Sequence, residues 1–253
     1  LVLAGLGSIA ATSMLPQNLS AQSNNDTDIV IIGGGIAGSS TAFHLAEQGH
    51  DVILIERGEI ASEASGQNMG GLGGSGWGNN PDLLSYLTAG SVEIFKRIQI
   101  DMGYDIEFRL SGTLTAIHTD EQYEYYQDDV VSQRNNGYEI ELLSAREARS
   151  IEPEANGELP GYMYRPQRGQ ADPVKTTRAF SHAAEVAGAI INTNQNVISI
   201  TPMSMGGYAI RTESSEFRCQ NLVLATGAWC GPVGEMLGLK IPIVPIRGQM
   251  WAT

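Results

Sequence analysis

Cysteine, histidine and basic residues are all scarce in this 253-residue sequence. Its two cysteines, Cys219 and Cys230, are too few for a disulfide framework and are expected to be buried apolar residues rather than a redox pair. The four histidines lack metal-ligand spacing, so no metal site is predicted. The sequence has 15 lysines and arginines but 28 aspartates and glutamates. The resulting net charge of −13 argues against binding to nucleic acid or an anionic membrane.

The apolar run at residues 1–11, LVLAGLGSIAA, is too short to span a bilayer comfortably. It resembles the part of a twin-arginine secretion signal that follows the arginines, which predicts an exported, periplasmic protein. A buried N-terminal helix or a membrane anchor is the alternative, with a cytoplasmic or membrane-associated protein as the consequence. Because no methionine or basic leader precedes the run, and residues 241–253 look unfinished, we expect a sequence truncated at both ends.

A short βαβ unit is predicted near the start of the chain. Ile29–Ile32 is a β-branched apolar run, typical of a strand buried on both faces of a parallel sheet. The motif GGGIAG follows, then a helix over residues 36–48 that ends before Gly49. A second apolar strand, Val52–Ile55, ends in Glu56. This order predicts an α/β fold with a Rossmann-like dinucleotide-binding domain.

The glycine motif carries the chemistry of this unit. Gly33 allows a tight turn, Gly35 allows the backbone to approach a pyrophosphate, and Gly38 allows the helix and strand to pack closely. The helix N-terminus then favours the negative charge of the pyrophosphate. Glu56 is placed to accept hydrogen bonds from ribose hydroxyls and to disfavour a 2′-phosphate, which argues against NADP. The alternative is a glycine-rich turn that binds nothing.

The segment SEASGQNMG, Ser62–Gly70, favours FAD over NAD. Its small, hydroxyl and amide residues could donate hydrogen bonds to ribityl hydroxyls and phosphate, whereas an NAD domain would begin its next helix and strand here. A flexible surface loop is the alternative.

The rest of the chain predicts an α+β domain inserted into the α/β domain. The predicted helices are 83–102, 121–135, 147–153 and 174–187. The predicted strands lie within 108–118, around a turn at Ser111-Gly112, and at 190–191, 197–200, 222–224 and 241–253. The predicted domains are a signal-like segment and linker (1–25), a cofactor domain (26–80 and 165–232) and a substrate domain (81–164 and 233–253).

Several of these segments together resemble the D-amino acid oxidase (DAO) family of FAD-dependent amine oxidases and dehydrogenases. They are DIVIIGGGIAGSSTAFHLAEQGHDVILIER, ASEASGQNMGG, Asp172-Pro173 before a helix, LVLATGAW at Leu222–Trp229 and VPIRGQM at Val244–Met250. The resemblance implies a two-dinucleotide-binding-type FAD domain with an inserted substrate domain. It also implies oxidation of a carbon–nitrogen bond in a small amine or amino acid, with oxygen or a quinone-linked carrier as electron acceptor.

The resemblance extends the predicted cofactor site beyond the glycine motif. It implies Arg57 near adenine, Ser65, Gly66 and Asn68 along the ribityl-phosphate stretch, a backbone contact from Val197 to adenine, and residues 225–227 close to the cofactor. A solvated surface charge is the alternative for Arg57, and core packing is favoured over a flavin contact for Trp229. The predicted cofactor-binding residues are Gly33, Gly35, Ile36, Ala37, Gly38, Glu56, Arg57, Ser65, Gly66, Asn68, Val197, Ala225, Thr226 and Gly227.

Three alternative functions stay open at the level of sequence. An FAD-dependent hydroxy-acid or other C–O dehydrogenase would use the same cofactor domain. A non-catalytic nucleotide-binding protein could be built on a flavoprotein fold, and a plain NAD dehydrogenase is disfavoured by SEASGQNMG. No catalytic residue, substrate identity, mode of flavin attachment or oligomeric state is predicted.

Overall fold

The computed structural model describes residues 25–72, 81–135 and 138–249. The strands are β1 (Asp26–Ile32), β2 (Val52–Ile55), β3 (Gly71–Leu72), β4 (Thr113–Ile117), β5 (Glu141–Leu143), β6 (Gly161–Arg165), β7 (Gly169–Gln170), β8 (Ile190–Asn192), β9 (Val197–Pro202), β10 (Tyr208–Thr212) and β11 (Glu216–Leu224). The α-helices are α1 (Ile36–Glu47), α2 (Pro81–Lys96), α3 (Asp120–Asn135), α4 (Ala145–Ile151), α5 (Pro173–Val186) and α6 (Cys230–Glu235). A π-helical turn, Arg97–Asp101, continues α2, and a 3-10 turn, Gly227–Trp229, precedes α6.

A six-stranded sheet in the order β8-β2-β1-β11-β10-β9 forms the centre of the molecule. The strands β8, β2, β1 and β11 are parallel, while β10 and β9 continue the sheet in antiparallel pairing. Every residue of Ile29–Ile32 and Val52–Ile55 is buried, because apolar side chains pack on both faces of these strands. The predicted Rossmann-like α/β fold is confirmed.

The strand before Ala225 is longer than predicted. Sequence reasoning placed it at residues 222–224, whereas β11 runs over Glu216–Leu224. Its first half alternates exposed and buried residues and pairs with β10 as an antiparallel hairpin, while its later part pairs with β1. In the first part of β11, polar and apolar residues alternate. This part therefore lacks the continuous apolar run from which the strand at residues 222–224 was predicted.

Helices α1 and α5 cover one face of the central sheet. Small residues such as Ala42, Ala46 and Ala183 let the two helices approach the strands closely. The segment from Ile94 to Phe108 also packs in this layer, although it falls within the range predicted for the substrate domain. The domain boundaries themselves stay predictions.

Helix α5 begins at a side-chain cap. The carboxylate of Asp172 accepts a hydrogen bond of 2.7 Å from the backbone N–H of Lys175, and Pro173 occupies the first helical position. We expect Asp172→Ala to lower the free energy of unfolding by about 1 kcal/mol, because that N–H loses its partner. Urea unfolding would measure the change. Glu213→Ala, at an exposed turn, is the control, and an equal loss in both variants would contradict the role of the cap.

The inserted part contains an antiparallel sheet in the order β4-β6-β5, and α3 and α4 pack against it. This mixture agrees with the predicted α+β character. The strands predicted within 108–118, on either side of a turn at Ser111-Gly112, are found in part. Only Thr113–Ile117 is a strand, while Arg109 makes an isolated bridge to Gln170. Gly112, whose φ is +75°, breaks the pairing between them.

The strand predicted at residues 241–253 is wrong over its described part. Residues 240–249 are irregular, and Val244 and Ile246 are exposed. Pro242 and Pro245 offer no N–H groups for a ladder, and no strand within the described ranges pairs with this segment.

Several predictions fall outside the described residues. They concern residues 1–24 of the signal-like segment and linker, residues 73–80 of the predicted cofactor domain, and residues 136–137 and 250–253 of the predicted substrate domain. The predicted export therefore stays a prediction. In the described ranges, no helix has both the length and the apolar character needed to span a bilayer. Cys219 and Cys230 are both buried and unpaired with each other, as expected.

Candidate cofactor-binding site

The glycine loop begins where β1 ends, at the carboxyl edge of the parallel sheet. Gly33 has φ = +116°, a conformation that residues with a Cβ rarely adopt. Its N–H donates to the carbonyl of Ile55 at 2.8 Å, and a Cβ at this position would lie 2.8 Å from the carbonyl carbon of Ala225. The loop is therefore packed tightly between the ends of β2 and β11.

Gly35 and Gly38 are required by close approach rather than by unusual dihedral angles. A Cβ at Gly35 would lie 2.8 Å from the hydroxyl oxygen of Ser65. A Cβ at Gly38 would overlap the carbonyl oxygen of Gly33. Helix α1 can thus lie against the glycine loop at the end of β1 only if position 38 has no side chain, whereas position 35 faces the side chain of Ser65. Ile36 and Ala37, the remaining predicted loop residues, form the first helical positions, and Ala37 is exposed.

The N-terminus of α1 is suited to bind an anion. Its N-cap is Gly35, which has no side chain to satisfy the first N–H groups, and the first turn contains no acid. The hydroxyl of Ser65 accepts the N–H of Ile36 at 2.9 Å. By contrast, Asp172 closes the N-terminus of α5. Apart from the bond to Ser65, the N-cap residue supplies no side-chain cap, and this end of α1 fits a pyrophosphate because helix N–H groups and the helix dipole both favour negative charge.

Glu56 is buried beside the loop, with 9% of its surface exposed. One carboxylate oxygen accepts the N–H of Gly34 at 2.6 Å, and the other accepts the N–H of Gly58 at 2.8 Å. Because an ionised carboxylate has about four acceptor positions, it can still accept hydrogen bonds from ribose hydroxyls. The same carboxylate therefore orders the loop and offers a ribose site.

The segment predicted to follow the ribityl chain folds back on itself as a turn-rich loop. A Cβ at Gly66 would overlap the carbonyl oxygen of Ala61, and it would lie 3.2 Å from a methyl group of Val174. The amide nitrogen of Asn68 donates to the carbonyls of Ala64 and Ser65, both at 3.0 Å, while its oxygen accepts the N–H of Gly70 at 2.8 Å. Asn68 thus holds the loop together.

Arg57 and Trp229 make a contact that sequence reasoning missed. The core packing favoured for Trp229 is wrong, since 40% of the residue is exposed. The guanidinium of Arg57 lies over the indole ring, 3.8 Å from its centroid, and pairs with Glu63 at 2.6 Å. This guanidinium is therefore not simply a solvated charge.

Residues 225–227 lie next to the glycine loop, as expected from the sheet order. The N–H of Ala225 donates to Ile32 at 2.9 Å, and the hydroxyl of Thr226 donates to the sulfur of Cys230 at 3.2 Å. Gly227 has φ = +52°. Val197 lies at the start of β9, where its side chain joins the core on the sheet face opposite α1.

Ala61 is a structural residue of the site that the sequence does not reveal. It adopts φ = +67°, which is uncommon for a residue other than glycine. Its N–H donates to the carbonyl of Gly34 at 3.2 Å, and its own carbonyl packs against Gly66. Alanine carries no sequence signal for this conformation.

The structure thus brings Gly33, Gly38, Glu56, Ser65 and Ala225 together at one edge of the sheet. These residues fit the ADP half of a dinucleotide. The binding roles of the individual residues stay predictions. Within the described ranges no cluster of three or more histidine, cysteine or acidic side chains could hold a metal ion.

Comparison with known proteins identifies the cofactor. The profile of the family described as DAO, FAD dependent oxidoreductase, matches residues 28–253. Glycine oxidase of Geobacillus kaustophilus (strain HTA426) is 29% identical over 231 residues, which are 88% of this chain and 60% of the relative. A crystal structure of glycine oxidase from Geobacillus kaustophilus superimposes with a TM-score of 0.80 at 28% identity, over 87% of this chain and 60% of that chain. The predicted cofactor, FAD, is confirmed.

Two further relatives are much longer than this chain. Mitochondrial dimethylglycine dehydrogenase of Homo sapiens is 26% identical over 249 residues, which are 94% of this chain and 27% of the relative. Anaerobic glycerol-3-phosphate dehydrogenase subunit A1 of Haloferax volcanii is 28% identical over 237 residues, which are 88% of this chain and 40% of the relative. The chain therefore spans between about a quarter and 60% of these three relatives.

Proposed function

This chain belongs to the DAO family of FAD-dependent oxidoreductases, and from that premise we propose that it oxidises a carbon–nitrogen bond in a small amine or amino acid. The observation that carries the proposal is the glycine oxidase likeness, which covers 88% of this chain. The buried carboxylate of Glu56 and the open N-terminus of α1 support it, because they fit the dinucleotide on which this chemistry depends.

Bound FAD would supply the hydride acceptor for this oxidation. The contribution of the described residues is to bind and orient that cofactor. The α1 N-terminus would hold the pyrophosphate, Glu56 would hold the adenosine ribose, and the loop around Ser65 would follow the ribityl chain. We assign neither substrate binding nor proton transfer to any of the described residues.

The substrate class can be tested by anaerobic reduction of the flavin. We expect the visible flavin bands of the purified, FAD-loaded protein to bleach with one member or a small subset of a panel of D- and L-amino acids and N-methylated glycines, with release of ammonia or an amine. Denatured protein with the same flavin content is the control. If every amine leaves the bands intact while dithionite bleaches them, the proposal is wrong.

Oxidation of a carbon–oxygen bond is the second candidate. The likeness to the glycerol-3-phosphate dehydrogenase subunit, over 88% of this chain, favours it. The same panel extended by glycerol 3-phosphate and 2-hydroxy acids separates the two functions, because only C–N oxidation yields ammonia or an amine. A colourless folded protein would favour a non-catalytic role instead.

We further propose that oxygen or a quinone-linked carrier reoxidises the flavin. Hydrogen peroxide formed in stoichiometric amounts during turnover in air would identify oxygen. Turnover with a soluble quinone but not with air would identify the carrier, and failure of both acceptors after flavin reduction would refute this proposal.

A further inference from the structure

We propose that Asn156 is a site of spontaneous deamidation, at which the side-chain amide is lost as ammonia after attack by the backbone nitrogen of Gly157. The two residues lie in the loop between α4 and β6, and both are exposed. This inference concerns the chemistry of the chain itself and depends neither on bound FAD nor on the substrate that is oxidised.

The reaction needs no cofactor and no oxidant. The nitrogen of Gly157 gives its proton to solvent and forms a bond to the side-chain carbonyl carbon of Asn156, and the amide nitrogen leaves as ammonia. Water then opens the resulting cyclic imide at either of its carbonyls. The net change is hydrolysis of the amide to a carboxylate, which leaves an aspartate or an isoaspartate at position 156.

The nitrogen of Gly157 is accessible for this attack. Within the described ranges its N–H donates no hydrogen bond that would hold the proton in place. Glycine also has no Cβ that could block the approach of the Asn156 side chain to the peptide nitrogen. The nucleophile is therefore neither covered nor tied to an acceptor.

The side chain of Asn156 is folded back towards the same peptide. Its Oδ1 atom accepts the N–H of Glu158 at 2.9 Å, which closes an Asx turn around Gly157. The same hydrogen bond stabilises the negative charge that develops on Oδ1 when the carbonyl carbon is attacked. The turn therefore both orients and activates the amide carbon.

The guanidinium of Arg149 supplies a positive charge beside the attacking nitrogen. A Cβ built on Gly157 would lie 2.6 Å from Cζ of Arg149, so bond geometry places Cζ within about 5 Å of the Gly157 nitrogen. The Nε–H of Arg149 donates to the carbonyl of Ala155 at 2.9 Å, which holds the guanidinium in this position. A cation at this distance favours loss of the proton from Gly157, because it stabilises the anion that remains.

An isoaspartate at position 156 would disturb the packing of the inserted part. The carbonyl of Asn156 accepts the hydroxyl of Tyr162 at 3.0 Å, and Tyr162 is buried in a cluster with Leu143, Ala148 and Ala155. An isoaspartate adds a methylene group to the main chain and so displaces this carbonyl. The modification therefore weakens the contact between the loop and the cluster.

Peptide mass spectrometry of the purified full chain tests the proposal. During incubation of the folded protein in mildly alkaline buffer, the peptide that contains Asn156 should convert to its aspartate and isoaspartate forms. Arg149→Gln should slow this conversion roughly three- to fivefold, as expected for loss of a charge about 5 Å away in water. Arg149→Lys should restore most of the rate because it keeps the charge, and Arg178→Gln, exposed on α5, is the control for net charge.

The proposal is wrong if Asn156 of the folded protein stays intact for as long as the same chain, unfolded in urea, needs to lose this amide. An Arg149→Gln variant that reacts as fast as wild type, or an equal slowing in Arg178→Gln, would overturn the role of Arg149. In urea, wild type and Arg149→Gln should react at the same rate, because unfolding separates the guanidinium from Gly157. A difference that persists in urea would contradict the effect of the folded geometry.

Discussion

Replacing Gly38 with alanine is expected to weaken FAD binding by at least about a hundredfold, or roughly 2.8 kcal/mol. The added methyl group would overlap the backbone carbonyl oxygen of Gly33, and a backbone atom cannot move aside as a flexible side chain can. Helix α1 must then shift away from β1, which displaces the N–H groups that hold the pyrophosphate. Titration of the apoprotein with FAD, followed by flavin fluorescence, measures the affinity.

Gly90→Ala provides the matched control for this substitution. Gly90 lies in α2, and a Cβ there would meet no atom within 4 Å. Alanine should therefore leave FAD affinity unchanged and, being the better helix former, should raise rather than lower stability. If Gly38→Ala binds FAD as tightly as Gly90→Ala, the close approach of α1 and β1 is not needed for the cofactor.

Replacing Glu56 with leucine is expected to lower both stability and FAD affinity. The N–H of Gly34 loses its partner inside the protein, which costs about 1–3 kcal/mol, and the partly buried N–H of Gly58 also loses its partner. Loss of a ribose hydrogen bond to this carboxylate should weaken FAD binding by about ten- to a hundredfold, since one such bond contributes about 1.5–3 kcal/mol. Urea unfolding and FAD titration measure the two losses separately.

Glu59→Leu is the control for a nearby acid. Glu59 is exposed and accepts one hydrogen bond, from the side chain of Asn194 at 2.9 Å. Its loss should change the free energy of unfolding by about 0.5 kcal/mol or less. The double role of Glu56 would be contradicted if its leucine variant retained both wild-type stability and wild-type FAD affinity.

The βαβ unit could be predicted from the sequence because its determinants are local. Gly33 and Gly38 are fixed by the turn and by close packing within a few residues of the chain, and Val52–Ile55 is apolar because both faces are covered. The capping residue Asp172 is similarly local, since it binds an N–H only three residues away.

The failures of sequence reasoning concern contacts between distant segments. Trp229 is 40% exposed and packs one face of its ring against Arg57, which is remote in sequence, whereas aromatic character alone suggested a core position. Ile243 and Val244 have strand composition, yet a strand also requires a neighbour with free N–H and C=O groups. The positive φ of Ala61 accompanies its packing against Gly34 and Gly66, and an alanine in the sequence does not indicate such a conformation.

The central claim is that the glycine loop, Glu56 and the loop around Ser65 hold the ADP half of FAD. The most direct test is to pass the folded protein through gel filtration after incubation with FAD or with NAD. We expect FAD to stay with the protein, ADP to compete for its site and NAD to be lost. Retention of NAD, or a folded protein that retains neither dinucleotide, would contradict it.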